Sequence, residues 1–133
     1  MTPQFLDFRI FADSRGALLA AEGETDIPFR IARVYYLFNM PPGARRGRHA
    51  HRALRQAAVC LRGRCDILLD GGKNKTVCRL DSPAKGVLIE KMVWRELFNF
   101  SPDCLLAVFA DAPHDESDYI RDYGAFLAAR EKI

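Results

Sequence analysis

Short apolar runs, cut apart by turn residues, constrain this chain more than any other feature. Residues 29–38 (FRIARVYYLF), 56–62, 64–69, 76–80, 86–90, 93–100 and 104–110 are rich in Val, Ile, Phe, Tyr and Leu. Between and around them stand Ser14-Arg15-Gly16, Pro41-Pro42-Gly43, Gly63, Asp70-Gly71-Gly72, Ser82-Pro83, Lys85-Gly86 and Ser101-Pro102-Asp103. Such runs read as strands, because β-branched and aromatic side chains fit a pleated, half-buried surface. Asp70-Gly71-Gly72 marks a tight turn, since glycine reaches the positive φ angles that two-residue hairpin turns demand. Many short strands at near-regular spacing predict an all-β antiparallel sandwich or barrel. Only the tail departs from this pattern. Asp115-Glu116-Ser117-Asp118 is acidic and suits a helix start, and Tyr119, Tyr123, Phe126 and Leu127 recur at roughly helical spacing. One short amphipathic C-terminal helix is expected, packed on the barrel or on a partner subunit. Asp115, Glu116 and Asp118 read as helix-start charges, not as catalytic carboxylates.

The 133 residues suit one domain spanning 1–133. Apolar residues make up 49% and charged residues 28%, which excludes a disordered or fibrous chain. A net charge of +3 is too small to imply a nucleic-acid partner. No uncharged apolar stretch approaches the roughly 20 residues of a membrane span. The start, MTPQFLDFRIF, lacks the basic and apolar regions of a secretory leader, so a cytoplasmic location is expected. Cys60, Cys65, Cys78 and Cys104 form no C-x-x-C pair and lie among apolar residues, as reduced buried thiols do.

The informative polar residues crowd into Pro41-Pro42-Gly43-Ala44-Arg45-Arg46-Gly47-Arg48-His49-Ala50-His51-Arg52. On a strand, residues i and i+2 share a face, so His49 and His51 project together. Arg45, Arg46 and Arg48 precede or flank them, and guanidinium forks match phosphate oxygens. Imidazole titrates near neutrality and moves protons. Anion binding beside proton transfer is the chemistry these residue types suit.

From Gly43 the chain runs Gly, five residues, His49, one residue, His51, four residues, Gln56, six residues, Gly63. This resembles the first cupin motif, G-x5-H-x-H-x4-E-x6-G, with Gln56 in the Glu position. Arg95-Glu96-Leu97-Phe98-Asn99 resembles the second motif, with Arg95 where a third His would stand. The resemblance implies a small jelly-roll-like β-barrel. Metal-binding cupins use those His and Glu positions as ligands, but a neutral amide is a weak ligand and a guanidinium offers no lone pair. No metal is therefore expected, although His114 is one further imidazole.

The segments RVYYLFN, RGRHAHRALRQ, VCLRGRCDILLDGG, LDSPAKGVLI, VWRELFNFSPDCLLAVFAD and DESDYIRDYGAFL resemble the sugar-nucleotide 3,4-ketoisomerases, including the C-terminal domains of WxcM-like proteins. The likeness runs from about Asp7 to Leu127. It implies an isomerase acting on dTDP-4-keto-6-deoxy-D-glucose, which moves the ketone from C4 to C3 through an enediol(ate). His49 and His51 are the implied catalytic pair, one taking the C3 proton and the other handling oxygen or C4. Tyr35 or Tyr36 is a candidate phenol, and alternation allows only one to point inward. Arg46 is the first choice for pyrophosphate, then Arg48. Gln56 is expected at sugar hydroxyls, and Arg15 lies in a stretch resembling a substrate contact.

Many relatives carry His at the position of Arg95, so the C4 configuration of the product lies open between gluco and galacto, with gluco favoured. Trp94 reads as core. A homodimer with exchanged N-terminal strands is implied, with FRIARVYYLF a candidate interface. The competing readings are a dTDP-sugar 3,5-epimerase, whose RGxH segment is also similar, a sugar-binding cupin without catalysis, and a metal-dependent cupin dioxygenase.

Overall fold

The computed structural model describes residues 1–133. Its strands are β1 (Phe5–Asp7), β2 (Phe11–Asp13), β3 (Gly16–Leu18), β4 (Arg33–Leu37), β5 (Arg46–His51), β6 (Gln56–Arg62), β7 (Cys65–Asp70), β8 (Lys75–Leu80), β9 (Lys85–Ile89), β10 (Trp94–Phe98), β11 (Leu105–Ala110) and β12 (Tyr119–Ile120). A single helix, α1 (Tyr123–Glu131), closes the chain. Two five-stranded sheets carry the fold, in the orders β1-β9-β6-β11-β4 and β12-β5-β10-β7-β8, and β2 and β3 form a separate hairpin. This is the all-β, cupin-like arrangement with one short C-terminal helix that the sequence implies.

The two sheets share one core. Ala58, Cys60, Val87, Ile89, Leu106 and Val108 of the first sheet meet Cys65, Ile67, Leu69, Leu80 and Leu97 of the second. Each fully buried Ile, Leu or Val there contributes about 1.5–3 kcal/mol relative to exposure. Alternation assigns the opposite faces. Ala57 and Val59 turn outward from β6 and are covered by Phe8, Ile27 and Phe29. Ala50 and Trp94 turn outward from the second sheet and pack against Ile120 and Phe126 beneath α1.

Some sequence expectations shift. The run 29–38 yields a strand only over Arg33–Leu37, because Phe29 is spent covering β6. The helix starts later than the acidic stretch suggests, with Asp122 capping the Ala125 amide. Asp115 instead caps a single 3₁₀ turn, Glu116–Asp118, and Tyr119 enters β12, paired opposite His51. Asp70-Gly71-Gly72 turns β7 into β8 as expected.

The apolar inner face does not run the full length of the sandwich. On β6 it continues from Cys60 and Ala58 to Gln56, on β4 from Leu37 to Tyr35, and on β10 from Leu97 to Arg95. By the same parity His49 and His51 face inward from β5, opposite in sense to Ala50. One end of the core is therefore polar, and the elements that make it so come from both sheets.

Candidate active site

A bulge sets the register of the histidines. Gly47 and Arg48 both have positive φ, 84° and 56°, and the β5–β10 pairing shifts between Arg95 and Glu96. As a result His49 lies directly opposite Arg95, while Glu96 lies opposite Gly47. A side chain at Gly47 would place its Cβ 2.8 Å from Leu97 Cδ1 and 3.0 Å from the Arg95 carbonyl oxygen. Glycine is thus required both by conformation and by space.

The two imidazoles meet edge to face, with ring centroids 4.9 Å apart and planes at 89°. The Tyr119 ring packs on both, at 4.8 Å from His49 and 4.3 Å from His51. His49 Nδ1 lies 3.0 Å from the Gly47 carbonyl oxygen. A carbonyl only accepts, so Nδ1 carries the proton and Nε2 keeps its lone pair. His51 Nδ1 lies 3.0 Å from Asp118 Oδ2, and a carboxylate fixes the same tautomer. His51 Nε2 is buried and has no hydrogen-bond partner.

Arg95 stands between the sheets, wholly buried. Its Nε and Nη2 donate to the Val93 carbonyl, and Nη1 donates to Gln56 Oε1. Gln56 in turn donates from Nε2 to the Tyr35 hydroxyl at 3.0 Å. No carboxylate pairs with this guanidinium, and burial pulls its pKa down to about 10, which leaves it charged at neutral pH. Burial, and then the Arg95 charge, hold His49 down at about 3 and His51 at about 4. Both imidazoles are neutral bases at pH 7. Burial also pushes the Tyr35 phenol above its ordinary range. A cavity of about 230 Å³ opens beside this group, walled by Arg33, His51, Asp111, His114, Asp118 and Tyr119.

The structure thus brings together His49, His51, Gln56, Tyr35 and Arg95. Tyr35 is the inward tyrosine and Tyr36 is exposed. Three other sequence candidates lie outside this group. Arg46 begins β5 on the surface, and Arg48 is exposed, 4.0 Å from Glu96, which Arg45 holds at 2.7 Å. Arg15 sits on the β2–β3 turn, paired with Asp13 at 2.6 Å and 88% exposed. Sequence reasoning missed Asp118 and the stacking of Tyr119. The DESDYI segment carries both, but its acidic residues suit a helix start equally well. Trp94 is core, as expected, and its Nε1 donates to Glu96.

The donor set does not suit the metal of other cupins. The position of the third histidine holds a fixed cation, and both ends of the Gln56 amide are already engaged. The chemistry open to this site is proton transfer next to a developing negative charge.

Residues 1–131 match the FdtA family, described as WxcM-like, C-terminal. This chain belongs to that family. Among its relatives, a TDP-4-oxo-6-deoxy-alpha-D-glucose-3,4-oxoisomerase from Aneurinibacillus thermoaerophilus is 44% identical, over 100% of this chain and 96% of its own length. The crystal structure of QdtA, a sugar 3,4-ketoisomerase from Thermoanaerobacterium thermosaccharolyticum in complex with TDP, superposes with a TM-score of 0.95. It is 38% identical, over 98% of this chain and 95% of that one. WlaRB, a TDP-quinovose 3,4-ketoisomerase from Campylobacter jejuni, is 42% identical over 95% and 97% of the two chains, with a TM-score of 0.91.

Proposed function

We propose that this protein is a dTDP-4-keto-6-deoxy-D-glucose 3,4-ketoisomerase, a cofactor-independent enzyme of deoxyamino-sugar biosynthesis. One observation carries the mechanism: two neutral imidazoles present bare Nε2 atoms beside a buried guanidinium that no carboxylate neutralises. The relatives named above supply the substrate class.

The reaction moves two protons and leaves the atom count unchanged. One histidine takes the C3 hydrogen, which the adjacent C4 carbonyl acidifies. Charge develops on the C4 oxygen, giving an enediolate. Arg95, held rigid by Gln56 and Val93, supplies positive potential where that charge appears. Such preorganised groups contribute a few kcal/mol of transition-state stabilisation. A proton is then delivered to C4, the C4 oxygen gains one, and the C3 hydroxyl loses its own to become the ketone. The second histidine carries the oxygen-bound proton, with the Tyr35 hydroxyl and the Gln56 amide ordering the sugar. Each well-placed acid–base group contributes about 10²–10⁴-fold. Arg46, which has no protein carboxylate of its own, binds the pyrophosphate with Arg48.

Arg95 stays protonated throughout, so no acid stands at its position to deliver the C4 proton, and the gluco product is expected. All four cysteines are free and buried, as suits the reducing cytoplasm. The enzyme works as a homodimer. Val34, Tyr36 and Phe38 on and after β4, and Phe11 and Leu18 on the hairpin, are all exposed and need covering.

The His51–Asp118 pair also meets one requirement of a 3,5-epimerase, so the test has to separate the two reactions. Incubation with dTDP-4-keto-6-deoxyglucose in D₂O, followed by NMR, does so. The carbonyl is expected at C3, with no deuterium at C5. Deuterium at both C3 and C5 with the ketone still at C4, or an unchanged substrate, overturns the reading.

A further inference from the structure

Asp118 bonds to the His51 ring on the side away from its bare Nε2. It leaves the 3₁₀ turn just before β12, a segment that reaches across to β5. One carboxylate oxygen, Oδ2, accepts from His51 Nδ1 at 3.0 Å and from the Leu54 amide at 3.2 Å. The other, Oδ1, accepts from the Ala53 amide at 2.9 Å. The Asp118 carbonyl also accepts from the Arg52 amide at 2.9 Å. The carboxylate is therefore pinned by the backbone just after His51, and cannot swing away when the imidazole changes charge. On the far side of the ring, Nε2 is buried and unpartnered.

His49 has no such support. Its Nδ1 rests on a neutral carbonyl at Gly47. The two imidazoles thus share a tautomer but differ in what stands behind them. A carbonyl orients a ring, whereas a carboxylate orients it and also stabilises its protonated form.

We infer that Asp118 is a positioning residue that locks His51 in the Nδ1–H tautomer and makes His51, of the two histidines, the one built to hold a proton between steps. The inference rests on the ketoisomerase reading and assigns unequal roles within it. His51 Nε2 accepts a proton from a substrate hydroxyl, becomes imidazolium against Asp118, and returns that proton to the other oxygen. No bond to Asp118 is made or broken. The charged and titratable groups facing His51 are Arg95 from β10, His49 from its own strand, Tyr119 from β12, Arg121 after it, and Asp118. Arg33, Asp111, His114 and Asp115 line the cavity with it. Among them Asp118 is the carboxylate bonded to the ring, and it opposes the downward pull of Arg95 and Arg121.

The test is Asp118→Asn, which keeps an oxygen for the Ala53 amide but can turn its NH₂ toward His51 Nδ1. Nitrogen-15 NMR of the imidazoles reads the tautomer without any turnover. His51 is expected as Nδ1–H in the wild type and as Nε2–H in D118N, with His49 unchanged. In the wild type kcat is expected to exceed that of D118N by about 10²–10⁴-fold, with KM within threefold. The acid limb of kcat should move to lower pH in D118N, because the group that raises the His51 pKa is gone. Asp118→Glu, which keeps the carboxylate, should recover part of the lost kcat. An unchanged His51 tautomer, or a kcat within threefold of wild type, overturns the inference. Should the wild type itself fail to move the ketone, the reaction reading falls, and the tautomer shift alone decides the role of Asp118.

Discussion

His49 and His51 stay uncharged at neutral pH because an ion in their place would lose its water and face Arg95. That has a cost in acid which can be measured. In the unfolded chain each imidazole takes a proton near pH 6.5, whereas in the folded chain it waits until about 3 or 4. Between those values the unfolded state binds more protons, so stability is complete above pH 6.5 and falls as the pH drops toward 4. The slope reaches about 1.4 kcal/mol per pH unit for each buried imidazole. Urea midpoints at pH 7 and pH 5 should show this loss, and His51→Asn should show a smaller one. Equal loss in both would mean that His51 is not held neutral. Both His49→Asn and His51→Asn are expected to fold and to lose most turnover. Arg46, as the proposed pyrophosphate ligand, would act at a distance from the bonds that change. Arg46→Ala should raise KM for the nucleotide sugar by about 10–100-fold, the worth of a hydrogen bond between charged groups, and leave kcat near wild type. An unchanged KM would remove Arg46 from the pyrophosphate site.

Strands carry most of what could be read in advance, and their ends carry most of what could not. β6, β7, β8, β9 and β11 follow directly from apolar runs and turn residues, because each is buried on at least one face. The H-x-H spacing placed His49 and His51 on one face, since a strand has a period of two. Which residues meet them was harder to read, as it depends on long-range register. Arg95 reaches His49 only through the bulge at Gly47–Arg48, and Asp118 reaches His51 only because β12 adds to the edge of β5. Neither pairing leaves a local signal. The acidic DESD stretch misled because helix starts and hydrogen-bonded turns favour the same residues. Gly47 tests this dependence on register. Gly47→Ala forces a side chain into positive φ and to within 2.8 Å of Leu97 Cδ1. It should cost about 1–3 kcal/mol of stability and lower kcat, because His49 moves off Arg95. Wild-type kcat in G47A would show that the bulge does not position the base.

At the scale of the whole molecule, Arg15 is the residue least explained by a single chain. It resembles a substrate contact in sequence, yet it lies on an exposed turn whose flanking strands leave Phe11 and Leu18 in solvent. The face of β4 leaves Val34 and Tyr36 exposed as well. Two copies that traded their hairpins would cover these side chains and carry each Arg15 toward the other subunit's histidines. This arrangement gives a complementation test. Arg15→Ala and His49→Asn dimers, each weakly active, are unfolded together and refolded as a mixture. In a mixed dimer that shares Arg15 across the interface, one site carries both defects and the other carries neither. Activity should therefore rise toward a quarter of wild type, since half of the dimers are mixed and each holds one intact site. If Arg15 serves its own chain, every site in a mixed dimer keeps one defect and no activity returns. Light scattering should show a dimer before and after mixing, and a monomer at assay concentration would rule out the shared site without any kinetics.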